Sequence, residues 1–190
     1  MYAVTAAGGS SHLSLIDVAN VSDPSDIGRV EKKLREAAFF LDLMRKREAY
    51  ALGDPEEFDY LLSAFLSATR SVDWRLRHVQ PVLYPGWRPT WDGSLSTAQK
   101  TLVKFFVDDR NEEVHGGGSD RRENLVPLGV EMKGAEIVAL VRLPAPRPGA
   151  IAASEYYFKV DGAERRATEA CAEYVALLRD MLVNYKANHS

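Results

Sequence analysis

Residues 105–118 read FFVDDRNEEVHGGG. The stretch opens on helical apolar spacing, becomes densely charged and stops on three glycines. Val103, Phe106, Val107, Arg110 and Val114 stand at i, i+3, i+4, i+7 and i+11, one stripe on a helical wheel. An arginine inside that stripe must be paired, or must face a cleft or a second subunit, because burying a lone guanidinium is too costly. Asn111 and His115 are four apart and share a neighbouring face. Arg110 and His115 are five apart, roughly 140° around an ideal helix, so both can border one groove. Plainer roles also exist. Arg110 can snorkel beside Asp109 or Glu113, and His115 suits the negative end of a helix dipole.

The rest of the chain is organised around this helix. Ser96, with Gln99 three residues on, is a capping box that starts it, and Gly116 suits its end. Upstream, Ile27, Val30, Leu34, Ala37, Leu41 and Met44 form one stripe, which predicts a helix from about Ile27 to Ala51 capped by Ser25 or Asp26. Gly53 ends it. Asp54, Pro55 and Glu57 then open a second helix that continues to Pro81. The short turn between the two predicts an antiparallel pair. The Pro- and Gly-punctuated segment PVLYPGWRPTWDGSLS reads as a loop whose Trp87 and Trp91 pack over the bundle.

After His115 the period changes. VEMKGAEIVALVRL alternates, with Lys133-Gly134 as a hairpin turn, and EYYFKV at 155–160 reads as a third strand. Asp161 caps a last helix, with Glu164 as its box residue and a wide apolar face from Ala167 to Tyr185. The expectation is a mainly α chain: a four-helix bundle with a small antiparallel β-meander, about 125–160, inserted between helices three and four. Residues 1–24 read as an irregular segment and 25–190 as a single domain.

The composition excludes several classes. The chain has 190 residues, 46% hydrophobic and 27% charged, ordinary for a globular domain. One cysteine, Cys171, allows no internal disulfide and fits a reducing cytoplasm. No apolar run reaches membrane-spanning length, and the N-terminus lacks a signal-peptide pattern, so neither membrane nor export is expected. The net charge of −3 does not mark a bulk polyanion binder. Glu112-Glu113-Val114-His115 contains the Glu-x-x-His spacing of di-metal bundles, which need two such motifs. Gly9, Arg75 and Lys186 stand three residues before the other histidines, so no second motif exists and no metal is expected.

The order Arg, polar residue, three residues, His, at the end of a helix and before glycine, resembles the signature of the HEPN superfamily. Here it is RNEEVH, with Arg110 and His115 on the two defining positions and Asn111 on the polar one. The lead-in LVKFFVDD and the long last helix are similar too, and the resemblance spans about residues 27–187. It implies a HEPN-like helical bundle, and the β-meander departs from the minimal form. It also implies a metal-independent endoribonuclease, a homodimer with a composite active site, and kinship with toxins and phage-defence effectors. An antitoxin or another partner protein belongs to that picture.

The residue types suit that reaction. Cleaving RNA without a metal or cofactor needs a base for the 2′-hydroxyl proton, an acid for the leaving 5′-oxygen and a cation on the phosphorane. Histidine titrates near neutrality and does either proton transfer. Arginine supplies a planar, permanently charged fork. His115 is therefore the proton-transfer residue, Arg110 the phosphate clamp and Asn111 the positioner. The basic clusters Arg70, Arg75, Arg77 and His78, and Arg121 with Arg122, are the expected RNA-binding walls. Two other classes compete: a non-catalytic HEPN-like module binding a nucleotide or a partner protein, and an interaction protein docking through the meander or the tryptophans.

Overall fold

The computed structural model describes residues 24–49, 54–115, 121–134, 136–148 and 150–189; the side chains of 24, 25, 49, 55, 109–115 and 137 fall outside that description. The sequence-predicted first-helix end at Ala51, the stops at Gly53 and Gly116, and segment 1–23 lie outside the described residues.

Five helices form the body: α1 Pro24–Ala49, α2 Pro55–Val79, α3 Tyr84–Ser94, α4 Thr97–His115 and α5 Ala167–His189. Four strands stand between α4 and α5: β1 Arg121–Lys133, β2 Glu136–Arg142, β3 Ile151–Val160 and β4 Ala163–Arg166. They form one antiparallel sheet in the order β2-β1-β3-β4, curled into half a barrel. The fold is therefore not a four-helix bundle with a small meander between its third and fourth helices.

Two local readings account for the difference. The Pro/Gly segment is the helix α3, despite Pro89 inside it, because Tyr84, Trp87 and Trp91 fall on one buried face. Trp87 stands edge-on to Tyr185, ring centroids 5.0 Å apart, and donates its Nε1 hydrogen to Asn184 Oδ1 at 2.9 Å. Tertiary burial outweighs the local cost of the proline. The second is Asp161-Gly162. Both residues have positive φ, 49° and 79°, and make the two-residue turn of a β3–β4 hairpin instead of a helix cap. The sheet is not a meander either, because β3 returns beside β1 and leaves β2 at the edge.

Other local signals hold. Asp54 caps α2, accepting from Glu56 N at 2.9 Å. Ser96 and Gln99 exchange hydrogen bonds at 2.8 and 3.3 Å.

The core joins helices and sheet. Phe106 stacks on Tyr174 of α5 at 4.4 Å and meets Phe65 of α2 and Phe158 of β3. Glu48 with Thr168, and Glu31 with Lys186, pin α1 antiparallel to α5. α3, just before α4, is tied to Asp73 late in α2 and to Asn184 late in α5, and Arg121, shortly after α4, is tied to Asp59 early in α2, so α4 is antiparallel to both α2 and α5. The C-terminal ends of α1 and α4, the N-terminal ends of α2 and α5, and the sheet thus share one end of the body, called the base here. α3 sits at the opposite end.

Candidate functional site at the base of the bundle

α4 runs without a break through Arg110 and Asn111 and ends at His115. The three residues lie on its last two turns, with Arg110 and His115 separated by a rise of about 7.5 Å. Position 110 follows Val107 by one turn on the same stripe. Val103 and Val107 line a cavity of about 30 Å³ together with Arg70, Asp73, Arg88 and Trp91. That volume is on the scale of one water molecule, too small for a nucleotide.

The expected basic walls are not brought together. Arg75 and Arg77 belong to the last two turns of α2, at the α3 end, where Arg77 lies 5.4 Å over the Tyr84 ring. Arg121 is paired with Asp59 in the first turns of α2, sixteen residues from Arg75 and so about 24 Å away along the helix. Only Arg121 and Arg122 are at the base.

Arg121 is a structural residue there. Its Nη2 donates to Asp59 Oδ2 at 2.5 Å, and its guanidinium lies 4.7 Å over Tyr156 and 5.8 Å from Phe58. The hydrogen bond to Asp59 raises its pKa further, keeping it charged. The pair fastens the start of β1 to the start of α2, directly after the motif helix. Arg122 is exposed and paired with Glu164 of β4.

The base also holds a buried ionic cluster. Arg47, 4% exposed, donates from Nε to the Asp54 carbonyl at 3.2 Å and pairs with Glu57 at 3.2 Å. Beside it, Glu48 accepts from Thr168 Oγ1 at 2.7 Å and pairs with Arg166 at 3.4 Å. Burial pushes the Glu48 carboxyl above its ordinary value, against the opposing pull of the Thr168 hydroxyl and Arg166. Arg166 also reaches Glu155 at 3.9 Å, and Glu155 reaches Arg142 at 3.6 Å. This cluster had a sequence signal. Arg47 and Glu48 continue the α1 stripe at i+3 and i+4 from Met44, the pattern that singled out Arg110 on α4.

Arg47, Arg121, Arg122 and Arg166 are thus each matched by a carboxylate. Among the described residues no three His, Cys, Asp or Glu side chains gather as a metal-ligand set. No helix among them is long and apolar enough to cross a membrane. No protein-family model, curated protein or solved structure matches the chain.

Proposed function

We propose that the chain is a metal-independent endoribonuclease of HEPN type, acting at the base of the bundle. The carrying observation is that α4 is helical from Thr97 through Arg110 and Asn111 to His115, so cation, amide and imidazole belong to two successive turns of one helix. In this reading Arg110 holds the scissile phosphate and His115 transfers the proton, while Asn111 positions. Attack by the 2′-oxygen expels the 5′-oxygen and leaves a 2′,3′-cyclic phosphate. One chain supplies one histidine at this point. A second copy would supply the other proton-transfer group, which is the chemical reason to expect a homodimer. RNA is the substrate; an antitoxin or other partner protein and a role in phage defence belong to the same proposal.

Arg121 and Arg122 are reassigned within it. Arg121 positions the base through Asp59 and Tyr156, and only Arg122, on the surface, remains a contact for RNA. Arg75 and Arg77 drop out because they occupy the far end of α2.

The same dispersal favours a second reading, a non-catalytic module of the same type that binds a nucleotide or a partner. A strongly bound polyanion needs clustered unmatched cations, and the named arginines at the base carry carboxylate partners. Incubation of the purified protein with RNA in EDTA separates the two. The ribonuclease reading expects cleavage that Arg110→Ala and His115→Ala each abolish with circular dichroism unchanged. Intact RNA with the wild type, or equal cleavage by all three proteins, overturns it.

A further inference from the structure

The last turns of α2 carry what the base lacks. Arg70, Arg75 and Arg77 make no ion pair with a carboxylate among the described residues. After Asp59 the sole acidic residue of α2 is Asp73, and Arg88 holds it together with Asp92. These three guanidinium groups, within eight residues of one helix, are therefore a cluster of unmatched cations.

Trp74 stands among them. It is 52% exposed, whereas Trp87 and Trp91 are buried at 7% and 5%. The exposed His78 ring stacks on its indole, centroids 3.8 Å apart, and His78 Nδ1 donates to the Trp74 carbonyl at 3.0 Å, which holds the imidazole in place. No other ring or cation lies over the indole among the described residues. Arg70 and Arg77 stand at i−4 and i+3 from Trp74 and share its strip of helix surface, and Arg75 flanks it. The helix dipole accounts for cations in the last turn. It does not account for a large indole left in water beside them, where burial would have stabilised it.

An open aromatic face beside permanently charged forks is what a single strand needs. Its unstacked bases lie on the ring and the phosphates between them meet the cations. A duplex hides its base faces, and a base-free polyanion has none to offer.

We propose that the C-terminal end of α2 binds single-stranded nucleic acid, with a base stacked on Trp74 and the adjoining phosphates on Arg75 and Arg77. That the strand is RNA rests on the ribonuclease reading. The surface is at the opposite end of the body from the motif of α4, so it holds a strand and does not cut it.

The test uses a 2′-O-methyl oligouridylate of about twelve nucleotides, bound to the protein at several salt concentrations and followed by fluorescence anisotropy of an attached dye. The probe has no 2′-hydroxyl to attack its phosphates, so failure of the ribonuclease reading leaves the test intact. The wild type should bind it, and the unlabelled strand should quench the emission of Trp74, the one exposed tryptophan of three. Trp74→Ala should bind about tenfold more weakly with unchanged circular dichroism. Trp74→Phe should regain most of the affinity without the quenching. Replacing Arg75 and Arg77 together by glutamine should flatten the slope of log affinity against log salt by about 1.4, about 0.7 for each phosphate contact. No binding by the wild type overturns the proposal and leaves this surface to a protein partner. Trp74→Ala binding as tightly as the wild type, or a salt slope unchanged in the arginine variant, also overturns it. So does equal affinity for the annealed duplex or for inorganic polyphosphate, since neither offers a free base.

Discussion

Burial of Glu48 gives it a distinct pH signature. A carboxyl whose folded-state pKa is raised binds its proton more tightly in the folded chain than in the unfolded one. Its contribution is favourable below its unfolded value and is lost as pH rises through the higher folded value. Glu48→Gln keeps a hydrogen-bonding group for Thr168 but cannot ionise. Urea unfolding across mildly acidic to neutral pH should show wild-type stability falling relative to Glu48→Gln as pH rises. A difference independent of pH would mean that Arg166 and Thr168 fully compensate the burial. Tyr174 behaves likewise at the alkaline end. Buried against Phe106, it has a pKa raised by that burial to about 12. Its ionisation, followed by ultraviolet absorbance, should come well after that of exposed tyrosines. Tyr174→Phe should remove part of the stability lost above pH ~10.

Elements differ in how much of them the sequence exposes. α1, α2, α4 and α5 carry apolar stripes that repeat for several turns, and local caps such as Asp54 and the Ser96–Gln99 pair mark their starts. α3 does not: Pro85, Gly86, Pro89 and Gly93 are breakers, and the deciding contacts come from α5, about 97 residues away for Trp87 and Asn184. Long-range burial of that kind leaves no local trace. Asp161 misleads for another reason: with Glu164 it fits a helix capping box, and with Gly162 it fits a two-residue hairpin turn, which is what forms. The register of β1 with β3 instead of β2 is likewise a property of the assembled sheet. The candidate site divides the same way. The motif was legible because it is contiguous in sequence. The separation of Arg75 from Arg121 became visible only once α2 had a direction. Trp87→Ala should cost about 3–5 kcal/mol in urea unfolding, since α3 is held by that side chain. Trp74→Ala, at a side chain 52% exposed, should stay within about 0.5 kcal/mol.

At the scale of the whole molecule, the two ends of the body have different characters. The α3 end is an aromatic cluster around one arginine: Trp87, Trp91 and Tyr185 pack together, and Arg88 pairs with Asp73 and Asp92. The base is ionic, with Arg47, Glu48, Arg121 and Arg166 fastening α1, α2, α5 and the sheet to one another. α4 delivers its last two turns to that ionic base. A stiff, internally neutralised support is what a charged site needs if its own cation is to be aimed at a ligand and not at a neighbouring carboxylate. Arg121→Ala tests the support: β1 loses its tie to Asp59, and thermal stability should fall by about 1–2 kcal/mol, because the Asp59 carboxylate stays partly exposed. A melting temperature equal to that of the wild type would show that the base does not depend on it.

The most direct test of the central claim is an end-group analysis of RNA incubated with the protein in EDTA. The account predicts fragments ending in 2′,3′-cyclic phosphate from the wild type and none from Arg110→Ala or His115→Ala. Fragments from both variants at the wild-type rate, or no fragments from any of the three proteins, would contradict it.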